Sequence, residues 1–127
     1  MQPVTLFELA TQQARWLSVR QSAVASNIAN ANTHGYRAVD AEPFEKVLDR
    51  AVVSVRSTQP GHLGATDGAG ETFAVREQEY NGPPLPSGNT VQLESELMKA
   101  GEVRRSFELN TAIVKAFHRM MLMSTKA

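Results

Sequence analysis

The apolar residues in the first quarter of the chain recur at alternating intervals of three and four. This spacing is typical of a coiled-coil seam, the line of side chains along which one helix packs on another. Pro3 suits a first helical turn, so we expect a helix over residues 3–32, about 45 Å long. Leu6, Leu9 and Trp16 add a second apolar flank, which predicts packing on more than one neighbour. The seam comprises Phe7, Ala10, Ala14, Leu17, Val24, Ile28 and Ala31, with Gln21 in the gap.

A second helix is predicted over residues 89–124, with Asn89 and Gln92 as a capping pair. Exposed ion pairs are expected between Glu102 and Arg105 and between Arg104 and Glu108. Its main seam is predicted to contain Leu93, Leu97, Ala100, Val103 or Arg104, Phe107, Val114, Phe117 and Met121. A second apolar stripe comprises Leu109, Ile113, Ala116, Met120 and Met123. Two such stripes are more than one helical neighbour can cover.

The chain between the two helices has a different character. We expect a short helix at 44–51, strands at 52–56 and 72–76, a glycine-rich loop at 60–70 and an irregular stretch at 82–88. The fold class is therefore mainly α, with long terminal helices pairing as an antiparallel coiled-coil-like layer around a small β-containing middle. Three segments follow, at 1–34, 35–88 and 89–127, and both ends form one structural domain.

Three asparagines, Asn27, Asn30 and Asn32, stand at the end of the first helix although asparagine is a poor helix former. Asn27 and Asn30 lie three apart and so share one face. Such amides can fray a helix end, or they can fix the register of helices packed against copies of themselves. The residues alone leave both interpretations open. A turn made by Thr33, His34 and Gly35 follows, and then Tyr36.

This stretch resembles the N-terminal motif of the bacterial flagellar rod and hook proteins, which reads Asn-apolar-Ala-Asn, then Thr, then Gly and an aromatic residue. The positions that match are Asn27, Ile28, Ala29, Asn30, Thr33, Gly35 and Tyr36. His34 is a departure, since many members place proline there. The motif covers a small part of the chain, the two terminal helices extend the resemblance to both ends, and the short length points to the proximal rod subunits of the flagellar basal-body rod family.

The resemblance implies a structural subunit that polymerises helically through its terminal helices into the drive shaft and the export channel wall. It also implies export by the flagellar type III system without a cleaved signal peptide, and a place in the periplasmic rod. The implied partners are other proximal and distal rod subunits, the rod-base adaptor, the MS ring and the export gate. Under this interpretation the seam residues, together with Asn27 and Asn30, form the subunit interface. Phe44 and Leu48 match the shape of an export-recognition segment, a pattern that an ordinary amphipathic turn explains equally well.

Composition narrows the alternatives. Thirteen basic and thirteen acidic residues give zero net charge, which offers no general attraction to nucleic acid or anionic membrane and favours self-association. The absence of cysteine excludes disulfides and thiolate sites. His34, His62 and His118 lack metal-ligand spacing, and no apolar run is long enough to span a bilayer. We therefore expect no catalytic residue, no cofactor, no metal and no integral membrane segment. The alternative function is a cytosolic helical adaptor or chaperone of a type III secretion system. The location of the protein in the cell would distinguish this alternative from a rod subunit. A small enzyme is a much weaker alternative.

Overall fold

The computed structural model describes residues 3–54 and 73–126. Within these ranges the elements are, in chain order, helix α1 (Pro3–Ala29), strand β1 (Val39–Ala41), helix α2 (Phe44–Ser54), strand β2 (Val75–Glu77) and helix α3 (Leu93–Thr125). The predicted fold class is confirmed: the chain is mainly helical, its long terminal helices pack together, and a small sheet lies between them. No helix in the described part is long and apolar enough to cross a membrane.

Helices α1 and α3 run antiparallel along their length. The rings of Phe7 and Phe117 meet edge to face at 5.6 Å between centroids. Farther along, Asn110 donates to the Ala10 carbonyl at 3.0 Å. Near the other end of the pair, Asn27 donates to Glu96 at 3.1 Å. Between these points the buried apolar residues of the pair are Leu17, Ala23, Val24 and Val103.

The face that α3 turns towards α1 differs from the predicted one at its start. Leu93 and Leu97, expected in the main seam, are 48% and 57% exposed, while Glu96 is 1% exposed. Ala100 and Val103, half-buried and buried, belong to the predicted seam, so only the start of α3 departs from it: the buried residue there is Glu96, one position before Leu97. Burial of Glu96 is possible because the facing residue on α1 is the amide of Asn27.

The middle of the chain packs on the second half of α1. Strands β1 and β2 are antiparallel, with Asp40 opposite Arg76. The Trp16 indole N–H donates to the Glu42 carbonyl at 2.6 Å. The centroid of the Trp16 ring lies 5.6 Å from that of Phe44, so this apolar flank of α1 packs against the start of α2.

Several predicted boundaries change. The predicted strand at 52–56 is wrong at residues 52–54, which continue α2, and residues 55–56 lie outside the described residues. The strand predicted at 72–76 overlaps β2, whereas β1 was not predicted. The glycine-rich loop at 60–70 lies outside the described residues. Helix α1 ends at Ala29 rather than at 32. Helix α3 begins at Leu93 rather than at 89, and its N-cap residue, Gln92, makes no side-chain capping bond.

Candidate functional site

The turn that follows α1 keeps a regular geometry without proline. The Tyr36 amide donates to the Thr33 carbonyl at 3.3 Å, which closes a four-residue turn. Gly35, the third residue of this turn, has a φ of +72°, whereas His34 has no positive φ. A closed turn with positive φ at its third residue has the type II pattern, in which proline is common at the second position. His34 therefore occupies the place of that proline and the turn is retained.

Asn89 holds this turn and the end of α1 against the start of α3. Its side-chain nitrogen lies 2.9 Å from each of the carbonyl oxygens of Asn30, Ala31 and Thr33, so its two N–H groups are shared among three acceptors. Carbonyls at a helix C-terminus have no partner within the helix, and this amide supplies one. The sequence predicted Asn89 as a cap of α3, but the N-cap is Gln92; the Asn89 amide nitrogen bonds the carbonyls that follow α1, and its oxygen accepts from the Val91 amide at 2.8 Å.

Asn27 is fully buried and uses both ends of its amide. The nitrogen donates to the Val39 carbonyl at 2.7 Å and to the Glu96 carboxylate at 3.1 Å. The oxygen accepts from the Val39 amide at 3.0 Å and from the Tyr36 hydroxyl at 3.3 Å. This one side chain therefore connects α1, the turn at residues 33–36, β1 and α3. The structure gives it a role inside the subunit.

The Asn30 side chain makes local contacts only. Its side-chain nitrogen donates to the Ser26 carbonyl one turn earlier at 2.8 Å, and its oxygen accepts from the Thr33 hydroxyl at 3.1 Å. These bonds close the last turn of α1, in line with the helix-end interpretation of the asparagines. The two asparagines that share one face thus do different work.

A chain of charges extends the contact between Asn27 and Glu96. Lys99 lies 3.4 Å from Glu96 and 3.5 Å from Asp40 on β1. Arg20 on α1 lies 3.4 Å from Asp40 and 3.8 Å from Glu102. All buried side-chain nitrogen and oxygen atoms of the described residues have a hydrogen-bond partner. The burial of Glu96 was not predicted from the sequence, although Glu96 lies four positions before the seam residue Ala100.

Glu42, at the end of β1, is a second buried carboxylate. Burial raises its pKa, but the hydrogen bonds from the Ala74 amide and Arg50 and the charges of Arg50 and Arg76 outweigh burial, so the pKa lies below its ordinary value of 4.5. Arg50 lies on α2, so this ion pair ties α2 to the sheet.

The predicted interface residues fall into two groups. The larger group is buried or half-buried; it comprises Phe7, Ala10, Ala14, Leu17, Val24, Asn27, Ile28, Asn30, Ala31, Phe107, Val114, Phe117 and Met121. Leu93 and Leu97 are exposed. Among the candidate export-recognition residues, Phe44 and Leu48 are half-buried on α2, and Phe44 lies against Trp16.

The second predicted stripe of α3 is exposed in the described part of the chain. Leu109, Ile113, Met120 and Met123 are 62%, 47%, 57% and 61% exposed, and Ala116 between them is exposed as well. We call these five residues the outer stripe. Large side chains spaced by three and four on one exposed face are suited to receiving another helix. No group of three or more potential metal ligands occurs in the described part of the chain.

Comparison with known proteins identifies the family. The family model described as flagella basal body rod protein matches residues 9–37, which include the asparagines and the turn. The chain is 49% identical to the flagellar basal body rod protein FlgB of Agrobacterium fabrum over 99% of this chain and 96% of that protein. The chain belongs to the FlgB family of flagellar basal body rod proteins. It is also 38% identical to Escherichia coli FlgB over 61% of each chain, and 35% identical to Cereibacter sphaeroides FlgB over 75% of this chain and 73% of that protein.

Membership of the FlgB family makes this chain a structural subunit of the flagellar basal body rod, and the expectation of a short proximal rod subunit is confirmed. A flagellar rod subunit of this family assembles with other components of the basal body. The alternative of a cytosolic adaptor or chaperone gains no support from these relatives. The candidate site in this subunit is the junction at Asn27, Asn89 and the turn, together with the exposed apolar face of α3.

Proposed function

We propose that this chain polymerises helically through its two terminal helices, which form the rod's drive shaft and the wall of its export channel. The observation that carries the proposal is the outer stripe of α3. A face with four large apolar side chains, each about half exposed or more, is rare on a monomeric soluble protein and is common at contacts between proteins. The seam residues pack α1 against α3 within one subunit, and the outer stripe contacts neighbouring subunits.

The junction gives this polymerisation a fixed geometry. Asn27 and Asn89 join the end of α1 to the start of α3, so the two helices enter the assembly as one unit with a set stagger. Repeated contacts between unlike surfaces extend a filament, whereas contacts between like surfaces close a dimer. A rigid helix pair with unlike exposed faces suits the open arrangement.

We also propose the finer assignments of partner and route, which the family resemblance supports. Neighbours of the subunit are other proximal and distal rod subunits, the rod-base adaptor, the MS ring and the export gate. The subunit reaches the periplasmic rod through the flagellar type III system without a cleaved signal peptide. Phe44 and Leu48 are the candidate residues for recognition at the export gate, and exposing them requires Phe44 to leave Trp16.

Substituting Met120 with aspartate tests the role of the outer stripe. Met120 is 57% exposed, so Met120→Asp leaves the fold of the free subunit intact while placing a charge in the proposed contact. We expect loss of motility and loss of the subunit from purified basal bodies, with unchanged circular dichroism of the free protein. Thr111→Asp, at an exposed position of α3 outside the outer stripe, is the matched control. Normal motility and normal recovery of Met120→Asp would contradict the proposal.

A further inference from the structure

Of the four methionines that the structure describes, three are exposed on α3. Met98, Met120 and Met123 are 69%, 57% and 61% exposed, a high fraction for an apolar side chain of this size. Met121, by contrast, is half-buried. It lies one helical turn after Phe117, whose ring packs on α1. Neighbouring methionines of one helix therefore differ in how openly they meet solvent.

Methionine carries the only sulfur in this chain, because there is no cysteine. Hydrogen peroxide oxidises a methionine in one balanced step that needs no cofactor. The thioether sulfur gives two electrons and bonds to one peroxide oxygen, and the other oxygen leaves as water. The product, methionine sulfoxide, is polar and chiral where the original side chain was flexible and apolar. Since the oxidant must reach the sulfur, exposed methionines react before half-buried ones.

Two of the exposed methionines belong to the outer stripe. Met120 and Met123 are three positions apart and so lie on one face of α3. Unoxidised methionine adapts well to an irregular apolar contact. A sulfoxide oxygen, in contrast, costs free energy when it is buried without a hydrogen-bond donor. A neighbouring subunit seated on the stripe would also keep peroxide away from both sulfur atoms. Oxidation of the stripe and docking on it therefore oppose each other.

We propose that Met120 and Met123 form a reversible oxidation site, at which peroxide converts the free subunit into a form that cannot dock through its outer stripe. The inference rests on the proposed function of the stripe and adds a means of switching that contact off. A methionine sulfoxide reductase restores the stripe. Two thiols of the reductase supply two electrons and become a disulfide, and the sulfoxide oxygen leaves as water. Subunits already assembled in a rod are protected.

Peroxide mapping of the full-length chain tests the site itself. The free subunit is treated with dilute hydrogen peroxide, and the sulfoxide at each methionine is followed by tandem mass spectrometry. We expect Met120 and Met123 to oxidise at least about fivefold faster than Met121, and as fast as Met98. In purified basal bodies, oxidation of Met120 and Met123 should slow by at least about fivefold relative to the free subunit. Equal rates at Met120 and Met121 in the free chain, or no protection in basal bodies, would overturn the proposal.

Two double variants test the consequence for assembly. Met120→Gln with Met123→Gln imitates the polar, uncharged sulfoxide, whereas Met120→Leu with Met123→Leu keeps the stripe apolar and cannot be oxidised. Glutamine, leucine and methionine have similar helix propensities, so the circular dichroism of the free subunits should not change. We expect the glutamine pair to lower recovery of the subunit in purified basal bodies at least about tenfold. The leucine pair is the matched control and should be recovered like the parent chain.

The outcomes separate this proposal from the role of the outer stripe. Normal recovery of the glutamine pair, with loss of Met120→Asp, would refute the oxidation site and leave the proposed function standing. Normal recovery of both would contradict the proposed function as well. Loss of the leucine pair would also overturn the proposal, because the contact would then depend on the shape of the thioether and not on its polarity.

Discussion

At the scale of single residues, the signature motif is the part of the chain where polar side chains decide the structure. Asn27 is buried and saturated with hydrogen bonds to three other segments, while Asn30 three residues later serves its own helix turn. A sequence shows that both share a face, but it does not show that Val39 and Glu96 come to meet only one of them. That information lies in tertiary contacts made with residues 12 and 69 positions away.

Replacing the two asparagines should therefore have unequal effects on the free subunit. Asn27→Leu removes the partner of the Val39 amide and carbonyl, at a cost of about 1–3 kcal/mol for each buried group, and leaves Glu96 paired with Lys99 alone. Asn30→Leu removes local bonds near the surface and should cost less than about 1 kcal/mol. Urea unfolding of both variants measures the difference. Equal stability of Asn27→Leu and the parent chain would show that the amide does not hold the subunit together.

His34 offers a change in the opposite direction. The turn already has the geometry that proline prefers at this position, and the His34 amide makes no loop or turn hydrogen bond with a described residue. We expect His34→Pro to stabilise the subunit by about 0.4–1 kcal/mol, because proline lowers the entropy of the unfolded chain. Thermal unfolding should show a higher midpoint. A lower midpoint would mean that this turn differs from the type II pattern.

The buried carboxylate of Glu42 predicts how stability depends on pH. Its pKa is lowered in the folded state, so its contribution is present above the ordinary value of 4.5 and is lost as pH falls below that value. Glu42→Gln should lower stability at pH 7 and flatten the loss of stability between about pH 5 and the folded-state pKa. Unfolding measured across this range provides the check. An unchanged acid slope in Glu42→Gln would assign the slope to other carboxylates.

At the scale of elements, spacing predicted the long helices and their antiparallel pairing but placed the face of α3 wrongly at its start. The 3-4 pattern identified Leu17 and Val24, which are buried, and left Val103 or Arg104 open, of which Val103 is the buried one. It also selected Leu93 and Leu97, because a pattern of apolar residues cannot distinguish a face for the same chain from one for another chain. The residue that is buried there, Glu96, is one that hydrophobicity places outside. Strand β1 was missed because three residues give no periodic signal.

The distribution of burial along the helix pair predicts uneven dynamics in the free subunit. The buried residues of α3 are Glu96 and Val103, and none follows Val103 within the described part of the helix. We expect amide hydrogens at residues 108–126 and 3–15 to exchange faster than those at 17–29 and 96–107. Hydrogen exchange on dilute monomer measures this directly. Equal protection along both helices would contradict it.

At the scale of the whole molecule, the subunit is a helix pair closed at one end by a polar junction and left apolar along its outer surface. The junction holds one FlgB-family chain together as a folded unit. The exposed faces of α3 remain for contact with neighbouring subunits.

The central claim is that α1 and α3 pair within one subunit through Asn27 and Glu96 and that the outer stripe contacts neighbouring subunits. Cryo-electron microscopy of isolated basal bodies tests it most directly. We predict Asn27 within hydrogen-bonding distance of Glu96 of the same chain, and Leu109, Ile113 and Met120 buried against other subunits. An α1 paired with α3 of a different chain, or an outer stripe left facing solvent in the assembled rod, would contradict the account.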